Sequence, residues 1–186
     1  MPLGTTLALP GSLALAVLGS RTTTPSRLAY QASRTLMSAL RAVPDVVFAL
    51  IFVTAVGLGP FAGVLALVCH GTGVTAKLWS EAMDEVDMGP VEALRTTAAS
   101  RLQVLQHGVL PTVAPTFVGL VLYRLNVNVR TSLVLGLVGA GGIGFLINQS
   151  IQLFRFDQML THILIVLLLV VAVDQLSGHV RKRLAV

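Results

Sequence analysis

The feature that most constrains this chain is an apolar run at residues 43–76, which is interrupted only by Asp45 and His70. At about 1.5 Å per residue, one helix of this length would measure about 50 Å, whereas the core of a bilayer is about 30 Å thick. The sequence Gly-Leu-Gly-Pro at 57–60 divides the run, because proline cannot continue a helix and glycine permits a reversal. The run therefore predicts two membrane-spanning helices, at about 41–57 and 60–79.

Three further apolar segments, at about 3–19, 109–125 and 158–176, complete the set of predicted spans. Hydrophobic residues make up 54% of the 186-residue chain and charged residues only 11%, whereas soluble domains carry about a quarter charged residues. The first segment lacks the basic start of a signal peptide and contains Pro10, so we interpret it as a span. The sequence thus predicts an all-α, polytopic membrane protein, a single domain over residues 1–186 with about five spans.

The distribution of basic residues predicts how these spans are oriented. The net charge is +5, and lysine and arginine favour the cytoplasmic side of membrane proteins. An external N-terminus and a cytoplasmic C-terminus place the polar region 80–108 inside the cell, with every lysine and arginine except Arg124, Arg130 and Arg155. This orientation requires that the glycine-rich segment 131–147 does not fully cross, so a re-entrant or external-side element is expected there. No basic patch interleaved with aromatic residues indicates a nucleic-acid partner.

Residues that could carry catalysis or bind a metal are sparse. Cys69 lies in an apolar run and is interpreted as a small buried thiol, and the four histidines lack the spacing of zinc ligands. The chain has no Gly-Lys-Ser of a phosphate-binding loop, and neither Gly-x-Ser-x-Gly nor Gly-x-Gly-Asp of intramembrane proteases. The acids between residues 81 and 92 are interpreted as a solvated charged surface. The sequence therefore predicts a protein that is not an enzyme, with no metal site and no cofactor of its own.

Residues 92–111, EALRTTAASRLQVLQHGVLP, form a polar segment between two predicted spans. Gly108 and Pro111 are expected to end the helix that this segment forms. Two interpretations are open from periodicity alone: an interfacial helix without a partner, or a helix on which another protein docks to move the spans. The apolar positions that predict one narrow helical face, at spacings of four, four and three, are Leu94, Ala98, Leu102 and Leu105.

The same segment resembles the cytoplasmic signature of bacterial ABC-importer permeases. In that family an E-A-A triplet is followed at fixed spacing by a glycine and a hydrophobic-x-Leu-Pro sequence, and the helix so marked docks in a groove of the ATPase subunit. Two positions depart from the pattern, since Ala98 replaces the glycine and Gly108 stands where many families have isoleucine. Ala98 is small, so close packing is expected there instead of a tight turn with positive φ. The residues that the resemblance assigns to ATPase coupling are Glu92, Ala93, Leu94, Ala98, Gly108, Leu110 and Pro111.

Longer segments, covering roughly residues 10–183, resemble the permeases of phosphonate/phosphate-type importers. The most particular is LYRLNVNVR at 122–130, whereas VGAGGIG at 138–144 is shared with methionine-type permeases. The resemblance implies a bacterial inner-membrane permease that works with an ATP-binding subunit holding ATP and magnesium, an extracytoplasmic substrate-binding protein and a second copy of itself. Family members typically carry one further span at the N-terminus, so a shortened form or a misassigned start is expected.

Four polar residues near the end of the predicted span 109–125 are candidates for the substrate path. A charge near a membrane segment usually faces protein or a water-filled cavity, and the planar guanidinium suits oxyanions. One hypothesis is that the four line a passage for phosphonate or phosphate. The other is that the arginines snorkel at the external interface or pair with Asp157. The four residues are Arg124, Asn126, Asn128 and Arg130.

Glycines in the segment 131–147 permit close approach of backbones. They serve either a contact with a second copy or a gate, or else the ordinary packing of small residues between helices. The glycines are Gly136, Gly139, Gly141, Gly142 and Gly144.

Taken together, these features predict the permease subunit of an ATP-driven importer for phosphonate- or phosphate-like oxyanions, which works by alternating access. The alternatives are a permease for another small solute, such as methionine or an osmolyte, and a truncated membrane subunit that does not transport.

Overall fold

The structure is a computed structural model that describes residues 2–184, with the backbone alone for residues 2, 95 and 181–184. The described part is all-α, as predicted. Its helices are α1 (Pro2–Gly19), α2 (Arg27–Ala42), α3 (Asp45–Val56), α4 (Pro60–Asp84), α5 (Met88–Thr96), α6 (Arg101–Val104), a π-helical turn (Leu105–Val109), α7 (Leu110–Leu137), α8 (Ile143–Gln152) and α9 (Phe156–Leu184).

Helices α1, α4 and α7 form the centre of the fold. α1 runs parallel to α4, since Gly4 lies against Leu67 near their starts and Ser20 donates a 2.7 Å hydrogen bond to Asp84 at their ends. α7 returns antiparallel to both. The segment from the start of α5 to the end of the π-helical turn, residues 88–109, is called the excursion below. It lies at the same end of the bundle as the α1–α2 connection.

Residues 27–56 form a broken segment, where the sequence predicted a continuous span at 41–57. α2 and α3 meet at an angle of 83°. Val43 at the break is extended, because the ring of the following Pro44 disfavours helical geometry there. The freed Val43 carbonyl lies 3.2 Å from Nδ1 of His70. α3 has 12 residues and is about 18 Å long, so it does not cross a bilayer core by itself.

The described residues contain three to four candidate membrane spans. Three stretches of helix are long and apolar enough to cross, at 60–84, 101–137 and 156–180. The bent α2–α3 pair adds a fourth if it is counted as one span, and α1 is apolar but shorter than the others. The number of five stays a prediction, because α1 is short and the α2–α3 pair is bent.

Helix α7 continues through the polar residues that were expected to interrupt it. It has 28 residues and ends at Leu137, so the predicted span 109–125 is only its first part. Polar side chains do not stop it because they find partners inside the protein; Arg124 Nη2, for example, donates to Asn128 Oδ1 at 3.3 Å. The predicted element 131–147 is thus divided between α7, a reversal at 138–142 and α8. With 10 residues, about 15 Å, α8 is too short to cross a bilayer.

The reversal at 138–142 packs against the α3–α4 reversal at 57–60. The Gly59 N–H donates to the Gly139 carbonyl at 3.1 Å. A Cβ at Gly141 would lie 2.6 Å from the backbone nitrogen of Pro60. Positive φ angles of 90°, 74° and 80°, which glycine adopts readily, occur at Gly139, Gly141 and Gly142.

Two further glycines bring α7 and α8 together. A Cβ at Gly144 would lie 2.1 Å from the Leu133 carbonyl oxygen, and a Cβ at Gly136 would lie 2.7 Å from the Gly144 Cα. The glycine-rich segment is therefore explained by close packing within one chain. Neither a second copy nor a gate is needed to account for it.

Candidate functional site

The excursion consists of two helices, whereas the sequence predicted a single helix over 92–111. α5 ends at Thr96, residues 97–100 form a turn, and α6 begins at Arg101. The excursion thus reverses direction within a few residues, and its two helices pack side by side at the end of the bundle.

Gly108 and Pro111 do not end a helix, since helical structure is continuous over residues 101–137. The Leu110 N–H donates to the carbonyl of Leu105, five residues back, in the π-helical turn. Proline has no N–H to donate and its ring crowds the preceding turn of a helix. The wider π turn accommodates Pro111, so the excursion joins α7 without a flexible link.

The turn between α5 and α6 depends on Ala98, whose φ is 56°. The expectation of close packing without a left-handed turn was therefore wrong, and this geometry costs alanine about 1–2 kcal/mol. Hydrogen bonds on both sides offset the cost. The Ala99 N–H donates to the Leu94 carbonyl at 3.3 Å. Ser100 and Gln103 form a capping box, in which Ser100 N–H donates to Gln103 Oε1 at 2.8 Å.

A hydrophobic cluster fastens the excursion to the membrane helices. Gly108 permits the close approach of α5, because a Cβ there would lie 3.0 Å from Leu94 Cδ1. Close-packed interiors transmit displacement, so a movement of the excursion reaches α1, α4 and α7. The buried members of the cluster are Val91, Val104 and Val109 of the excursion, with Val86 just after α4, Ala16 of α1, Trp79 and Met83 of α4, and Val113 and Phe117 of α7.

The predicted apolar face of the excursion is divided by the turn. Leu94 and Leu105 pack against the cluster, whereas Ala98 is exposed and Leu102 is 61% exposed. The three buried valines do not follow from a single helical period, because the helix is broken at residues 97–100.

The outward face of the excursion carries the other part of the predicted coupling site. Glu92 and Ala93 are exposed, and the Glu92 carboxylate forms no ion pair with a described side chain. Pro111 is exposed beside this face, and Leu110 packs against the cluster. The seven predicted residues thus share one region, with Leu94, Gly108 and Leu110 directed inward.

Asp84, at the end of α4, fixes the α1–α2 connection beside the excursion. It accepts hydrogen bonds of 2.7 Å from Ser20 Oγ and from the Arg21 N–H, and it pairs with Arg34 of α2 at 3.6 Å. A 3.2 Å hydrogen bond from Arg21 Nε to the Tyr30 hydroxyl raises the pKa of Arg21. Asp84 is one of the acids predicted to form a solvated surface. Its partners are remote in sequence, so no local pattern reveals its role.

Arg101 links α6 to the same connection. Its Nη1 donates to the carbonyls of Thr24 at 3.2 Å and Pro25 at 3.0 Å. The excursion therefore has a polar attachment to the start of α2 in addition to its hydrophobic attachment to the spans.

The four candidate substrate-path residues lie on two faces of α7. Arg124 and Asn128 are buried, with 7% and 2% of their surfaces exposed. Asn126 is directed towards α9, where its amide donates to Asp174 Oδ1, and Arg130 is exposed. A single copy of the chain therefore does not bring all four together.

The alternative interpretation of the two arginines fails for Arg124. A buried side chain in the middle of a long helix does not snorkel to an interface. Among the described residues, neither Arg124 nor Arg130 forms an ion pair with Asp157.

Comparisons with known proteins agree with this architecture. Residues 8–186 match the family model described as "Binding-protein-dependent transport system inner membrane component". The phosphite transport system permease protein PtxC of Stutzerimonas stutzeri is 43% identical over 179 residues, which cover 96% of this chain and 65% of that protein. The phosphate-import permease protein PhnE of Mycolicibacterium smegmatis is 39% identical over 180 residues, which cover 97% of this chain and 34% of that protein.

A solved structure shares the fold. An inward-facing conformation of the MetNI methionine ABC transporter superposes with a TM-score of 0.79 at 22% identity, over 98% of this chain and 88% of that one. At this identity the likeness concerns the fold alone. The chain spans less than two thirds of the lengths of the two curated relatives named above.

Proposed function

The chain belongs to the binding-protein-dependent transport system inner membrane components, and on that basis we propose that it is the permease subunit of an ATP-driven importer for phosphite-, phosphonate- or phosphate-like oxyanions. The printed names of the two curated relatives, which specify phosphite and phosphate transport, support this substrate class. The partners are an ATP-binding subunit that holds ATP and magnesium, an extracytoplasmic binding protein and a second copy of the chain. The protein resides in the bacterial plasma membrane with its C-terminus in the cytoplasm.

The observation that carries this proposal is the two-sided construction of the excursion. One face is buried against α1, α4 and α7 through the hydrophobic cluster, and the other face leaves Glu92 and Leu102 exposed. An interfacial helix without a partner needs only one buried face against lipid. A helix pair that is packed against three membrane helices and continuous with α7 is suited to transmit a force applied from outside.

The mechanism follows from this attachment. When ATP binding draws two ATPase subunits together, the excursions docked on them are displaced as rigid bodies. Each displacement passes through the cluster and through the continuous helix at 101–137, so that the membrane helices tilt and open alternately to the two sides. The chain itself carries out no hydrolysis in this scheme.

The structure also supports a role for α7 in the substrate path. Guanidinium and amide groups donate hydrogen bonds, which the oxygens of a phosphoryl group accept. Arg124 and Asn128 share one buried face of α7, whereas Asn126 and Arg130 lie on the other face. The path therefore uses Arg124 and Asn128, and Asn126 and Arg130 are not part of it.

A methionine permease is the second candidate, because the MetNI structure shares the fold. The phosphite permease is 43% identical to this chain and MetNI only 22%, so the oxyanion is the better supported substrate. The third candidate is a membrane subunit that does not transport a solute.

Reconstituted uptake tests these candidates. The chain, combined in proteoliposomes with the ATPase and binding protein of its own transport system, is expected to accumulate phosphite or phosphate when ATP is supplied, and not when ATP is omitted. Preference for methionine would support the second candidate. Absence of any ATP-dependent uptake would contradict the proposed function.

A further inference from the structure

We propose that Arg124, together with Asn128 and Thr5, forms an oxyanion-binding site halfway along the membrane helices. The inference rests on the proposed function, which supplies the oxyanion. It selects one pair among the four candidate path residues and excludes Asn126 and Arg130 from the site.

The position of Arg124 places it deep in the membrane. α7 extends from Leu110 to Leu137, so Arg124 lies about 21 Å from its start, close to the middle of the helix. Across from it, a Cβ at Gly71, near the middle of α4, would lie 3.9 Å from Arg124 Nη2. The guanidinium is thus held between two long helices, away from both ends of the bundle.

The charge of Arg124 is poorly compensated within the chain. The residue is 7% exposed, it forms no ion pair with a described carboxylate, and its Nε has no hydrogen-bond partner. Asp45, at the start of α3, is the carboxylate whose charge acts on it, but the two are not paired. Burying such a group is costly, and ionisable residues inside a membrane are paired or functional. An anion that binds transiently accounts for a cation that lacks a fixed partner.

The neighbouring side chains hold the guanidinium in place. Asn128 Oδ1 accepts from Arg124 Nη2 at 3.3 Å, and Asn128 Nδ2 donates to Thr5 Oγ1 at 2.9 Å. The planar fork of a guanidinium suits the oxygens of a phosphoryl group, and Nε is still available to donate. Asn126 contacts the carboxylate of Asp174, which repels an anion, so that pair does not belong to the site.

The break between α2 and α3 lies next to this site. His70, the neighbour of Gly71 in α4, contacts the Val43 carbonyl at that break. Irregular backbone at membrane depth is tolerated only where it is buried in protein or lines a cavity, and interrupted helices surround midplane binding sites in other transporters. The bent α2–α3 pair is therefore the element whose movement would open the site.

The test compares Arg124→Met with Arg130→Met, a matched control on the exposed face of the same helix. We expect Arg124→Met to lower uptake of phosphite or phosphate by roughly 10- to 100-fold, the size of one lost charge-assisted hydrogen bond. Its complex should assemble and melt at the same temperature as the wild type or higher, because an unpaired buried charge has been removed. Arg130→Met should transport normally, and Arg124→Lys should transport at an intermediate rate.

A direct binding measurement distinguishes a role of Arg124 in binding the substrate from a purely structural role. In the permease–ATPase complex without the binding protein, millimolar phosphite should raise the melting temperature of the wild type and not that of Arg124→Met, with equal ionic strength of chloride as the reference. Normal uptake by Arg124→Met, or failure of that variant to assemble, would overturn the inference and leave the proposed function standing. Absence of uptake by the wild type would instead overturn the proposed function.

Discussion

Replacing Gly144 by alanine is expected to destabilise the chain by about 3 kcal/mol, at the upper end of the usual cost of overpacking. The new Cβ would lie 2.1 Å from the Leu133 carbonyl oxygen and 3.0 Å from the Gly136 Cα. Both neighbours are backbone atoms, so no side chain can rotate away. The α7–α8 contact must separate, and thermal unfolding of the purified chain in detergent should show a lower melting temperature.

The matched control is Gly119→Ala in α7, the helix against which Gly144 of α8 packs. A Cβ at Gly119 meets nothing within 4 Å. Alanine should therefore raise stability there by about 0.5–1 kcal/mol, because glycine is the poorer helix former. Equal melting temperatures for the two variants would show that the glycine-rich reversal is not as tightly packed as described.

Replacing Glu92 by alanine is expected to lower the affinity of the chain for its ATPase subunit by about tenfold, which corresponds to about 1.4 kcal/mol. Glu92 is exposed on the outward face of the excursion and has no ion-pair partner in the described part of the chain. A carboxylate in this position is available to a basic residue of the partner. Uptake should fall in parallel, and the melting temperature of the isolated chain should not change.

Glu85→Ala is the control for Glu92→Ala, because Glu85 is also exposed but lies at the end of α4, outside α5. It should leave both ATPase affinity and uptake unchanged. Co-purification and ATP-dependent uptake measure the two effects. If Glu92→Ala assembles and transports like the wild type, the excursion does not couple through this carboxylate.

Much of the fold could be predicted from the sequence because bilayer insertion follows from composition and the length of apolar runs. The positions at which helices break or continue were harder to predict from the sequence. Pro44 lies at the start of the apolar run, and the predicted span 41–57 continued through it. α7 continues past Asn126 and Asn128 because these side chains bond to α9 and α1, and such contacts have no signal in local sequence.

The sequence signature predicted where the candidate site lies in the chain, but it did not predict the geometry of the site. Periodicity cannot reveal that Ala98 adopts a positive φ, since this requires the capping box at Ser100 and the packing of both short helices. The contact between Ser20 and Asp84 joins residues from two different helices and was likewise invisible. Arg124 was singled out as a charge, but its burial could be known only once α7 was seen to be continuous.

The central claim is that the excursion faces the cytoplasm and docks on an ATPase, and single-cysteine accessibility tests it directly. Cys69 is the only cysteine, so Cys69→Ser gives a background for two single-cysteine variants. One is Leu102→Cys on the outward face of the excursion, and the other is Phe154→Cys in the connection between α8 and α9. With a membrane-impermeant maleimide, position 102 should react in inside-out vesicles only and be protected by the bound ATPase subunit. Position 154 should react in right-side-out vesicles. Labelling of position 102 from the outside would contradict the claim, because no cytoplasmic ATPase could then reach the excursion.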